Sequence, residues 1–246
     1  MDHLIYTSMT GANAAMHRQD VLANNLANVS TNGFRAELAT FRSVPLNGPG
    51  ASTRVFALEA TAGYLDHSGP VQRTDRNLDA MAQGRAWFAV QGLDGVESYT
   101  RNGSFEVSST GTLVNTSGLP VLSDGGAPID VPQGSQVSFG YDGSVNATID
   151  GQRPQRLGRL KMVTPTPEEP LKRGDDGLFR SATGDALPQD GTAKMLPGAI
   201  EGSNVNAVQT MVGMIQVARQ FETQMKLLQT AETNDKTASQ LLNVQG

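Results

Sequence analysis

Residues 208–242 read VQTMVGMIQVARQFETQMKLLQTAETNDKTASQLL, and their spacing decides the fold. Val208, Met211, Ile215, Ala218, Phe221, Met225, Leu228, Ala231, Ala238 and Leu242 form an apolar seam. With the seven-residue step from Ala231 to Ala238 counted as two, its mean interval from Met211 to Leu242 is about 3.4 residues, close to the repeat of a left-handed supercoil. The pattern predicts one helix that begins near Val205, capped by Ser203 or Asn204. No proline follows Pro197, so the helix can run for about 60 Å. Ala207, Val212, Met214, Val217 and Leu227 widen the apolar face, and a helix this apolar needs more than one partner helix. Charge is balanced along it, and Glu222–Lys226 and Glu232–Lys236 sit four apart in the favourable order.

The other end of the chain matches this one. From Ile5 a seam runs through Ser8, Ala12, Ala15, Gln19, Leu22, Leu26 and Val29. Asp2 suits the helix start, where a carboxylate meets the positive end of the dipole. The helix should end between Asn28 and Asn32, in a run of turn-forming residues closed by Gly33. At about 1.5 Å per residue it would be roughly 42 Å long. Asp2, Arg18 and Asp20 are its only formal charges before Arg35, so it lacks the basic polar face of a membrane-surface helix. An isolated stripe of this kind belongs to an ordinary surface helix. Two of them at opposite ends must pair with each other or with copies of the chain, which points to an assembly subunit.

Between the ends, residues 41–80 carry loop signals, notably Val44-Pro45-Leu46-Asn47-Gly48-Pro49-Gly50. Strand signals begin at Ala86-Trp87-Phe88-Ala89-Val90 and recur between turn dipeptides. These are Asp94-Gly95, Asn102-Gly103, Thr110-Gly111, Ser117-Gly118, Asp124-Gly125-Gly126, Gln133-Gly134, Asp142-Gly143 and Asp150-Gly151. Such spacing, with residues suited to positive φ, predicts an antiparallel β domain. Gly158–Val163 and Leu178–Arg180 are further strand candidates. The fold class is therefore α+β. Its segments are the N-terminal helix 1–35, an irregular connection 36–80, a central β domain 81–185, a return linker 186–202 and the C-terminal helix 203–246.

Composition narrows the function. The chain has 246 residues, a formal net charge of −5, no cysteine and only 5% aromatics. The acidic balance argues against a nucleic-acid binder. No segment approaches the ~18 apolar residues of a membrane span, and the N-terminus carries no pattern of a cleaved secretory signal. His3, His17 and His67 are scattered and suggest no metal site. Phosphate-binding loops and nucleophile elbows are missing from the sequence. The pairs Glu168-Glu169 and Asp175-Asp176 lie in loop-like contexts and are better read as solvated charge than as catalytic carboxylates. No enzyme activity, metal or cofactor is expected. Two rival classes are a wall hydrolase, which needs a catalytic cleft, and an export chaperone, which should be compact without long terminal stripes.

The segment Asp20-Val21-Leu22-Ala23-Asn24-Asn25-Leu26-Ala27-Asn28-Val29-Ser30-Thr31-Asn32-Gly33-Phe34-Arg35 resembles the N-terminal signature of bacterial flagellar rod and hook proteins. Glu201-Gly202-Ser203-Asn204-Val205-Asn206-Ala207-Val208 is similar to the family's entry into its C-terminal helix. Tyr99-Thr100-Arg101-Asn102-Gly103-Ser104-Phe105, followed by Gly111-Thr112-Leu113, resembles the shared β domain. The opening Met1–Thr7, Gly158–Val163, Asp175–Arg180 and Arg219–Lys226 look most like the proximal-rod members, with the distal-rod members next. One departure is Gly84-Arg85-Ala86-Trp87, where relatives often have Asp-Gly before the aromatic.

The resemblance implies a subunit of the axial rod crossing the periplasm, which transmits torque and walls the export channel. It implies partners among its own copies, other rod subunits and the flagellar type III export apparatus, with export that needs no signal cleavage. It also implies paired terminal helices as the inner layer and the β domain outside. The expected assembly interface is Ile5, Ala12, Ala15, Leu22, Asn25, Leu26, Asn28, Val29, Gly33 and Phe34 on one end. On the other it is Val208, Met211, Ile215, Ala218, Phe221, Met225, Leu228 and Leu242. A charge at Leu22 or Ile215 is expected to block assembly.

Overall fold

The C-terminal pattern forms one uninterrupted helix, α2, spanning Ala207–Asn243, and the N-terminal pattern forms α1, Asp2–Ala27. The structure, a computed structural model, describes residues 2–45, 55–149 and 153–243, with backbone alone at 2–5, 41–45, 55–62, 238–239 and 241–243. The chain divides into two units. The helical unit holds residues 1–29, 36–65 and 205–246, and the β unit holds 30–35 and 66–204.

In the helical unit, α1 and α2 pack against each other. A side chain at Gly11 would lie 3.2 Å from Gln224, and one at Gly213 would lie 3.4 Å from Leu22. Positions 11 and 224, like 22 and 213, sum to 235, so the helices run antiparallel in a constant register. The connection expected to be irregular contains a long antiparallel hairpin instead. Strand β1, Glu37–Pro45, pairs with β2, Val55–Tyr64, with a bulge at Thr40/Phe41, and both strands pack on α1. Of the loop signal at 44–50, Val44 and Pro45 end β1 and the rest lies outside the described residues.

The β unit is antiparallel throughout its named pairs. Its largest sheet runs in the order Met162–Val163, Trp87–Gln91, Glu97–Thr100, Phe179–Ser181 and Leu171–Arg173. A second sheet joins Gln155–Arg159, Ser144–Thr148 and Gln136–Phe139. The segment read as a return linker supplies two strands of this unit. Met195–Pro197 pairs with Ala80–Ala82, and Ala199–Glu201 pairs with Val71–Arg73. These strands are only three residues long, too short for alternation to announce them.

The core is largely aliphatic and alanine-rich, as a sequence poor in aromatics requires. Val90, Leu113, Val121, Val145, Leu160 and Met195 are buried around Phe88, Phe105 and Phe139. Phe105 meets Phe88 and Phe139 edge-on at 5.3 and 5.7 Å, the geometry that aromatic quadrupoles favour. Among the predicted turns, Gly95, Gly111, Gly118, Gly126, Gly134 and Gly143 adopt positive φ. Gly103 does not, and is needed for a different reason: a Cβ there would stand 1.6 Å from the Ala80 carbonyl oxygen. Gly151 lies outside the described residues.

Candidate assembly site

The buried stripe of α1 follows the predicted seam. Ser8, Ala12, Ala15 and Asn25 are buried, and Leu22 and Leu26 are half-buried. The small side chains admit close approach of α2, whose half-buried Phe221, Gln224 and Leu228 supply the bulk. Leu22 packs beside Gly213, where a Cβ would stand in ordinary contact with it at 3.4 Å.

On α2 the stripe turned toward the unit's interior is offset from the predicted one. It comprises Thr210, Met214, Val217, Phe221, Gln224, Leu228 and Ala231, an alternation of three and four. Of the predicted seam, Phe221, Leu228 and Ala231 lie on it. Val208, Met211, Ile215, Ala218 and Met225 lie on a second stripe that is exposed within the chain. Val208 is 69% exposed and Ile215 55%, both large for aliphatic side chains. Helix α1 also has an outer stripe, with Tyr6, Met9 and Met16 exposed and polar Asn13 between them. Ile5 and Leu242 lie outside the residues whose side chains are described.

The amide-rich end of α1 finds its partners inside the chain. The Asn25 amide donates to the Glu37 carbonyl at 2.9 Å and accepts from the Glu37 N–H at 2.8 Å, which fixes the start of β1. Asn24 donates to the Glu37 carboxylate at 3.2 Å. Asn28 turns back to donate to the Asn24 carbonyl at 2.9 Å, closing the helix. Val29 is half-buried just beyond it.

Gly33 and Phe34 are buried in the β unit, where the three signature segments meet. Gly33 has φ +71°, and a Cβ there would lie 2.3 Å from the Asn102 nitrogen. Its N–H donates to the Glu201 carbonyl at 2.7 Å. The Phe34 carbonyl accepts from the Asn204 N–H at 3.2 Å, and the Arg173 guanidinium lies 4.4 Å from the Phe34 ring.

Beside these contacts is a fully buried ionic clasp. The Glu201 carboxylate receives Arg35 Nη1 on one oxygen at 2.7 Å, and Arg101 Nε on the other at 2.8 Å. Arg101 also donates to the carbonyls of Gly84 and Ala86. Trp87 stands beside both guanidinium groups, 5.8 Å from Arg35 and 5.9 Å from Arg101. Residues 67–69 close over the cluster: the His67 carbonyl accepts from Arg35, and the Gly69 N–H donates to Glu201. Burial pushes the Arg101 pKa below its usual value. The Glu201 carboxylate opposes that shift and the Arg35 charge adds to it. Two cations thus share one carboxylate in a fully buried site. Arg35, Arg101 and Glu201 each belong to a segment singled out from sequence, but their convergence on one point was not visible there.

Among the described residues there is no group of His, Asp and Glu able to hold a metal ion. No described helix is long and apolar enough to cross a membrane.

Comparison with known proteins agrees with this layout. Three family models match: flagella basal body rod protein over residues 5–35, the D1 domain of flagellar hook protein FlgE/F/G over 81–147, and the C-terminal region of flagellar basal body rod FlgEFG proteins over 196–241. Flagellar basal-body rod protein FlgF of Escherichia coli K12 is 43% identical, covering 99% of this chain and 100% of the relative. The FlgF of Salmonella typhimurium LT2 is 42% identical over the same shares. A basal-body rod protein FlgG of Buchnera aphidicola is 32% identical, covering 96% of this chain and 98% of its own. The chain belongs to the flagellar basal-body rod protein family and is a structural member of it, not an enzyme.

Proposed function

We propose that this chain polymerises through its terminal helices into the proximal part of the basal-body rod. The single observation that supports this best is the outer stripe of α2. Val208, Met211, Ile215 and Ala218 remain exposed on a helix whose other face already packs on α1. A helix with two apolar stripes has a place for a second partner. The helix pair is then a coiled-coil-like layer that walls the export channel. Torque passes along the contacts between helix pairs, whose repeated heterologous docking gives an open helical assembly.

The partners in this proposal are other copies, other proximal and distal rod subunits, and the flagellar export apparatus that delivers the chain without signal cleavage. The location is the basal-body rod where it crosses the periplasm. The test is complementation of a bacterium lacking its own copy. Ile215→Asp is expected to leave the chain folded, abolish rod incorporation and leave cells non-motile. Full motility with Ile215→Asp would sink the proposal.

A further inference from the structure

The outer stripes of the two helices are matched in a way that assembly alone does not require. On α2, residues 203–218 contain no Asp, Glu, Lys or Arg, and the first charge is Arg219. On α1, residues 3–17 are likewise free of these charges, which begin again at Arg18 and Asp20. The exposed apolar residues fall within these two windows: Val208, Met211, Val212 and Ile215 on α2, and Tyr6, Met9 and Met16 on α1. Met225 and Leu227 are the exceptions and flank Lys226.

Inside one chain the windows cannot meet. The register of 235 sets Met9 level with Lys226 and Ile215 level with Asp20. Each uncharged window therefore sits beside the charged half of its own partner helix, with its outer stripe uncovered.

We infer that the uncharged window of α1 in one copy docks on the uncharged window of α2 in the next copy. This deepens the assembly proposal and rests on it. When two copies point the same way, the incoming α1 runs antiparallel to α2, as it does within the chain. Tyr6 then falls opposite Ala218, Met9 opposite Ile215, Asn13 opposite Met211 and Met16 opposite Val208. Every one of these pairs sums to 224, so a single register satisfies the whole stripe. Tyr6 meets the smallest residue of the facing set. Shifting the match toward Arg219 or Asp20 would bury a charge without a partner, and a shift of two turns the other way would keep only two of the four pairs, Tyr6 with Met211 and Met9 with Val208.

The in-chain register is 235 and the register between copies is 224. Neighbouring copies are therefore displaced by eleven residues, or about 16 Å along the helix axis. A second copy is the occupant because the contact repeats the antiparallel α1–α2 pairing on the outer stripes of the same two helices, where both facing windows are free of charge. The contact is heterologous, so it propagates instead of closing.

The chain has no cysteine, so two introduced thiols report the register cleanly. Met9→Cys and Ile215→Cys are placed together in the full-length chain, which is concentrated and oxidised. Within one molecule these positions are about 16 Å apart axially, too far for a disulfide, whose Cα atoms lie within about 7 Å. The expected result is a ladder of disulfide-linked dimers, trimers and larger species. A chain carrying Met9→Cys and Met211→Cys is the control: if two copies of opposite polarity pack about a two-fold axis, α1 runs parallel to the facing α2 and Tyr6, Met9, Asn13 and Met16 fall opposite Val208, Met211, Ile215 and Ala218.

Dimers only, formed by the control pair, would overturn the staggered register in favour of a closed dimer. Absence of any intermolecular disulfide in both chains would overturn it as well. Sedimentation of the reduced samples then separates the two levels. Association without the 9–215 bond contradicts the register alone, whereas no association at all contradicts helix-driven assembly too. Circular dichroism of each variant shows that α1 and α2 are intact.

Discussion

Glu201 is the residue on which the β unit's charge balance turns. It is 1% exposed, and its carboxylate bonds both Arg35 and Arg101. Removing one partner from a buried ionic cluster leaves charge that neither water nor protein compensates. Glu201→Gln should therefore destabilise the β unit by about 3–5 kcal/mol. The only tryptophan of the chain, Trp87, is buried against the clasp and reports this directly. Urea unfolding followed by its fluorescence should show a lower midpoint, and an unchanged midpoint would mean that the cluster contributes no net stability. Gly33→Ala should cost more than about 2 kcal/mol in the same assay, because an L side chain is strained at positive φ and its Cβ would collide with backbone. The need for glycine was legible in the Asn32-Gly33 turn. The collision partner, Asn102, was not, since it is remote in sequence.

Asp190 gives a pH dependence at the same scale. Hydrogen bonds from the Thr164 hydroxyl, and then from the Thr192 hydroxyl and N–H, hold its carboxyl down at about 2. A depressed carboxyl stabilises the folded state above its ordinary value, and that contribution is lost as pH falls towards about 2. Protection of the Thr192 amide, its exchange rate relative to an unstructured amide at the same pH, should fall between about pH 4 and 2. Asp190→Asn should flatten that dependence, and identical profiles for the two proteins would rule Asp190 out as its cause.

At the scale of elements, α2 separates two jobs on two stripes. Val217 is 3% exposed on the inner stripe, whereas Ile215 is 55% exposed on the outer one. Val217→Asp should weaken the helix pair by about 3 kcal/mol or more through a buried charge. Ile215→Asp should change monomer stability by no more than about 0.5 kcal/mol yet abolish association. Thermal melts read at 222 nm, combined with sedimentation, distinguish the two. Equal melting of both variants would mean that the stripes are not distinct. Periodicity made both helices legible, but it favoured the more apolar stripe of α2. The inner stripe includes Thr210 and Gln224, which count as polar in sequence, yet Gln224 fits against Gly11 and the Thr210 hydroxyl donates to the Asn206 carbonyl. The β1–β2 hairpin also had a signal, in the alternation of Phe56, Leu58, Ala60, Ala62 and Tyr64. The Pro- and Gly-rich loop before it masked that alternation.

For the whole molecule, the α+β class and the β unit were legible because turn chemistry is local and repeated. The interleaving of units was not. Residues 30–35 belong to the β unit and 36–65 to the helical unit, so the chain crosses between them repeatedly. Such crossings depend on remote partners: Glu201 for Arg35, and Asn25 for Glu37. Division into two units implies that the β unit keeps its own core when the helices are removed. The most direct test compares the full chain with a chain of residues 30–204, which retains Arg35, Arg101 and Glu201. Circular dichroism, Trp87 fluorescence and sedimentation are read on both. If the terminal helices are the assembly device, the shorter chain keeps the buried Trp87 signal and loses both the helical signal and self-association. Loss of the Trp87 signal, or association that persists without the helices, would contradict it.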